Sequence, residues 1–78
     1  MKLYETINAE NWGKGILWRN GRGCILAHAY LLGIRKDSQL RAAIKMLFPE
    51  RALSVGGFND HPDTTIQDVI RVCKVADV

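Results

Sequence analysis

Cys24-Ile25-Leu26-Ala27-His28-Ala29-Tyr30-Leu31-Leu32 decides how the rest of the chain is read. The run carries no formal charge, and its strong polar groups are one imidazole and one phenol. Cys24, Ala27, His28, Leu31 and Leu32 fall on one helical face, while Ile25, Leu26 and Ala29 cover most of the remainder. A helix apolar on nearly every side belongs in the middle of a domain. Residues 24–32 are therefore expected to form a central helix. Gly33 follows as the left-handed residue that ends it.

Outward from this segment, two further helices are legible. Leu40, Ala43, Ile44, Leu47 and Phe48 recur at helical spacing, with Asp37 or Ser38 as the cap and Gln39, Arg41 and Lys45 facing water. Pro49 stops that helix or opens a new turn. In that turn Ala52, Leu53 and Val55 would touch the core. Ile66, Val69, Ile70, Cys73 and Ala76 form the stripe of the last helix, and Thr64 with Gln67 fits a capping box. Val72 and Val75 widen the stripe toward a contact surface. At the start, Leu3 and Ile7 suggest one helical turn laid on the core, too short to stand alone. Gly56-Gly57 and the run Phe58-Asn59-Asp60-His61-Pro62 read as connection, with Asn59 and Asp60 accepting backbone N–H groups in the loop.

Residues 12–23 are the hardest to place. Asn20-Gly21 is a strong hairpin signal. A hairpin centred there would set Arg19 opposite Arg22 and Trp18 opposite Gly23. Like charges face to face are unfavourable, and glycine offers Trp18 nothing to pack on. A loop with a short extended piece at residues 16–18 is the preferred reading, with a small β-hairpin near residues 15–23 as the alternative. The expected fold is mainly α: one domain over residues 1–78, a compact bundle of three main helices with a short N-terminal turn.

Composition sets the class. Of the 78 residues, 47% are hydrophobic and 24% charged, which describes a globular chain rather than a disordered one. A core this small is thin, so a homodimer is one way to add burial. No run is apolar enough for a signal peptide or a membrane span, and a cytoplasmic protein with reduced thiols, not acting at a membrane, is expected. The net charge is +3. Residues 14–45 hold seven cations against Asp37 alone, which permits contact with an anionic partner or simply internal pairing with the acidic tail.

Trp12-Gly13, Gly23-Cys24 opening an Ala-rich helix with Ala27 and Ala29, Phe58-Asn59-Asp60, Thr65 and Asp68-Val69 form a pattern spanning residues 8–76. In this pattern the chain resembles a small family of domains of unknown function from actinobacteria and their phages. Members of that family carry Trp where Phe58 stands and have a longer N-terminal helix. The resemblance implies a mostly helical fold and a link to mobile elements, and it brings no activity with it.

Three chemistries are open to these residues. Cys24 near a helix start, with Asp60 and His61, would suit a cysteine-dependent enzyme, but 78 residues leave little room for a cleft and oxyanion scaffold. Cys24, His28, His61 and Cys73 are adequate zinc ligands in no standard spacing, so no metal and no cofactor are expected. Trp12, Lys14, Trp18, Arg19 and Arg22 interleave aromatics with bases, which suits single-stranded nucleic acid. The reading preferred over these is a non-enzymatic protein-binding module. Under the mobile-element link it is an inhibitor of a host defence complex, as anti-CRISPR proteins are. Its partner-binding patch is expected at Trp12, Lys14, Trp18, Arg19, Arg22, Arg35 and Lys36, since Trp and Arg dominate binding hot spots. Asn59, Asp60 and His61 are expected to be structural.

Overall fold

A computed structural model describes residues 1–15, 17–51 and 54–78. Ala52 and Leu53, expected at the core, and Ile16, expected in the extended piece, lie outside the described residues. The two long helices form where periodicity puts them. Asp37–Leu47 (α3) and Ile66–Ala76 (α5) pack together and bury Leu40, Ala43 and Ile44 against Val69, Val72 and Cys73. Fully burying a side chain of this size is worth about 1.5–3 kcal/mol. Leu3–Thr6 (α1) lies on α5 as the expected turn, with Leu3 and Ile7 in the core. The Leu3 N–H donates to the carbonyl of the buried Val78 at 2.7 Å.

Helix ends depart from expectation by a residue or more. Thr65 caps α5, rather than Thr64, in a reciprocal box with Asp68 rather than Gln67. The Thr64 hydroxyl instead accepts from Arg51 Nη1 at 2.9 Å. Asp37 is already inside α3, whose cap position is Lys36 without a side-chain bond. Val72 does not mark a surface: it is fully buried, whereas Val75 is exposed.

Residues 55–60 are not a connection. They form the helix Val55–Asp60 (α4), entered from a 3-10 turn at Pro49–Arg51 and capped by Ser54, whose hydroxyl accepts from the Gly57 N–H at 2.8 Å. Gly56 and Gly57 are thus helical, tolerated because tertiary packing sets this short helix. Phe58 points inward and stacks on Phe48, with centroids 5.5 Å apart. Asn59 is fully buried beside it.

Ile25–Leu31 (α2) is shorter and less central than expected. It ends as foreseen, with Gly33 at φ +71° and the paired bonds Ile34 N–H to Ala29 O (2.9 Å) and Gly33 N–H to Tyr30 O (3.0 Å). Ile25, Ala27, His28 and Ala29 are buried, but Tyr30 and Leu31 are 70% and 64% exposed. The helix docks one face on α4 and leaves its other apolar face outside.

The alternative at residues 15–23 is the one realised. Trp18–Arg19 (β1) and Arg22–Gly23 (β2) pair antiparallel through a turn with Asn20 at φ +53° and Gly21 at φ +78°. These positive values are what the mirror-image hairpin turn requires. The register is the one that looked unfavourable, and two details reverse the argument. Arg22 turns away from Arg19 and donates to the carbonyls of Ala9 (3.0 Å) and Trp12 (3.2 Å). The missing side chain at Gly23 makes room for the Trp18 ring, since a Cβ there would lie 2.3 Å from Trp18 Cε3.

Candidate functional site

Asn59 is the hub that holds the loop ahead of the hairpin to α2 and α4. Its Oδ1 accepts from Trp12 Nε1 at 2.6 Å and from the Ile25 N–H at 3.1 Å. Its Nδ2 donates to Gly13 O at 3.1 Å and to Asp60 Oδ1 at 2.9 Å. Asp60 also accepts from the Gly15 N–H at 2.8 Å rather than meeting Arg22 or Arg41. Lys14 Nζ reaches the carbonyls of His61 (2.7 Å) and Pro62 (3.2 Å) at the end of α4. A buried amide with all its groups used fixes one geometry, because leaving any of them unpaired is costly.

The segment ahead of the hairpin is fastened in the same way. Asn8 Oδ1 accepts from the N–H groups of Glu10 (2.9 Å) and Asn11 (3.1 Å). The Asn11 carbonyl accepts from the Gly23 N–H at 2.8 Å and from His28 Nε2 at 2.7 Å. Facing a carbonyl, Nε2 must carry the imidazole proton. His28 also meets the Trp18 ring at its edge, with centroids 5.2 Å apart.

The seven residues expected to bind a partner therefore separate into two groups. Trp12, Lys14 and Arg22 spend polar groups on intramolecular bonds, to Asn59, to the end of α4 and to the loop at residues 9–12, although Arg22 is itself exposed. Trp18, Arg19, Arg35 and Lys36 lie on the surface. Asn59, Asp60 and His61 all make internal bonds, with His61 Nδ1 accepting from the Asp63 N–H at 3.1 Å.

The ligand sets weighed from the sequence do not assemble. Among the described residues no group of three or more Cys, His, Asp or Glu side chains could hold a metal ion. Cys24 and Cys73 are both buried and unpaired, and burial pushes the Cys73 thiol up to about 12. Among the described residues no helix is long and apolar enough to cross a membrane.

What the surface does offer is an apolar groove of about 520 Å³ between β1 and α2. Leu17 and Trp18 form one wall; Leu26, Ala27, Tyr30 and Leu31 form the other. Leu17 is 71% exposed and Trp18 49%. Leu17, Trp18, Tyr30 and Leu31 thus expose their apolar surfaces side by side. Trp18 is the one groove residue anticipated from sequence. The signal for the others lay in the length of residues 24–32. A helix of two turns that turns Ile25 and Ala29 inward cannot also bury Tyr30, Leu31 and Leu32 in so thin a core.

Comparison with known proteins returns no matching family model, no matching curated protein and no matching solved structure.

Proposed function

We propose that this chain is a non-enzymatic protein-binding module whose contact face is the groove between β1 and α2, and that its occupant is an acidic partner protein. The carrying observation is that Leu17, Trp18, Tyr30 and Leu31 are exposed together around an apolar cleft. Large aromatics in a rigid cleft make anchors for binding, because they lose little entropy on ordering. The Trp18 ring is seated over Gly23 and meets His28 at its edge.

Charge argues against a second copy as the occupant. Residues 14–36, which build both walls, include Lys14, Arg19, Arg22, Arg35 and Lys36 and no carboxylate. A symmetric dimer would set these cations against themselves, whereas an acidic partner complements them. The narrower role, an inhibitor occupying a surface of a host defence complex, is supported by the resemblance to phage-borne domains alone.

A photo-crosslinking residue at Tyr30 tests the face, with one at Lys45 on α3 as the comparison. In an actinobacterial lysate, adducts to one discrete acidic protein from position 30 alone, abolished by Leu31→Asp, are expected. Equal yield from position 45 would sink the reading, as would adducts that nuclease removes. The narrower role predicts that expressing the chain restores phage plaquing on a defended host and that Trp18→Ala does not.

A further inference from the structure

Tyr30 stands as a ridge between the apolar groove and a second, polar groove of about 400 Å³ at the α2–α3 corner. Leu26 and Tyr30 line both, and the second adds Ile34, Arg35, Asp37, Ser38 and Gln39. The Arg35 guanidinium lies over the Tyr30 ring, 5.6 Å from its centroid. Stacking of this kind restrains a long side chain while leaving its N–H fork open. Among the described residues Arg35 makes no ion pair and no side-chain hydrogen bond.

We infer that the Arg35 groove takes a carboxylate of the partner, so that the bound segment straddles Tyr30 with apolar side chains on one flank and an Asp or Glu on the other. This deepens the protein-binding reading and rests on it. The chemistry follows from the two grooves. The first is almost wholly apolar, and placing a carboxylate there would strip its water with little return. The second offers a positioned fork that matches a carboxylate with two parallel bonds, plus the Ser38 hydroxyl and the Gln39 amide at its edge. Asp37 is the one acid lining this groove, and it is flanked in sequence by Lys36.

The experiment selects random dodecapeptides displayed on phage against the full chain, then measures the selected peptides in solution. Groove-bound peptides with net negative charge and at least two large apolar residues are expected, with amide shifts at Trp18, Leu31 and Arg35. Replacing their carboxylates by amides should weaken binding about tenfold or more, as should Arg35→Glu, since a charge-assisted bond is lost. Arg35 is exposed, and circular dichroism of the variant confirms that its fold is kept. Selected peptides that fill the apolar groove without a carboxylate, or that bind Arg35→Glu undiminished, overturn this inference and leave the protein-binding reading standing. Peptides that map away from both grooves overturn both. Concentration-dependent dimerisation that shifts the same amides makes a second copy the occupant, and overturns it too.

Discussion

The indole N–H of Trp12 donates to Oδ1 of Asn59 at 2.6 Å across 47 positions of sequence, and that same oxygen also accepts the first N–H of α2 from Ile25. One side-chain amide thereby ties the loop at Trp12-Gly13 to two helices. Removing it strands the Trp12 and Ile25 donors and the Gly13 carbonyl in the interior. Asn59→Leu should cost about 3 kcal/mol or more, read as a fall in the urea midpoint at unchanged slope.

Asn59→Asp keeps the shape and deletes the Nδ2 donor. It sets a buried carboxyl against Asp60, so its pKa in the folded state rises above the unfolded value. A carboxyl with a raised folded pKa destabilises at neutral pH and is relieved as pH falls through that pKa. The variant should therefore gain stability between pH 7 and pH 5 relative to the wild type. Parallel thermal melts that show no such gain would count against the hub geometry.

Gly23→Ala should cost about 1–3 kcal/mol, the usual range for forcing an extra methyl into a packed site. The added carbon would meet Trp18 Cε3 at 2.3 Å and Leu17 O at 2.9 Å. Part of that cost belongs to the Trp18 ring and part to the backbone carbonyl. In a Trp18→Ala background the penalty should shrink but not vanish, which a double-mutant cycle of denaturation midpoints measures.

Arg51 covers the Phe48 ring and reaches α5. Its guanidinium lies 4.2 Å from the Phe48 centroid and bonds Asp68 Oδ2 at 3.1 Å. Burial would raise the Asp68 carboxyl, but the Thr65 N–H and the Arg51 charge outweigh it and hold the pKa below the usual carboxylate range. Asp77 is held low too, by its bond to Lys2 at 2.9 Å. A depressed folded pKa stabilises above the unfolded value, near 3.9, and that contribution is lost as pH falls through the folded one. Melting temperature should fall as pH drops below about 4, and less steeply in Asp68→Asn. Arg51→Ala should cost about 2–3 kcal/mol by denaturation.

Cys73 should resist alkylation at neutral pH in the native protein. Its thiol is fully buried and pushed up to about 12. Labelling by a maleimide should track global unfolding and accelerate with urea. Fast labelling in native buffer would contradict the packing of α5.

Sequence reasoning reached the parts of the fold where one residue pattern has one physical solution. The stripes of α3 and α5 could be buried only one way, and Gly33 could end α2 only in the left-handed conformation. It misjudged places where the outcome depends on a distant partner. Trp18 opposite Gly23 looked like a defect because strand-pair rules assume that the cross-strand neighbour supplies the packing; here the ring uses the glycine's empty face and borrows His28. Gly56-Gly57 disguised α4 because propensity is outweighed by Phe58 on Phe48 and Asn59 on Trp12. The groove was missed for the opposite reason. An apolar helix was taken to be interior, although a chain this short cannot cover every side of it.

The way the hairpin is fastened also governs when the groove exists. One wall, Leu17 and Trp18, follows a segment fastened largely by polar bonds: Trp12 and Gly13 to Asn59, Gly15 to Asp60, and Asn11 to His28. A segment fastened in this way should open at lower free energy than the helices. Its backbone amides should exchange with deuterium at lower free energy than those of α5. A ligand seated between the walls slows that exchange by mass action, so occupancy of the groove can be followed without any label on the partner.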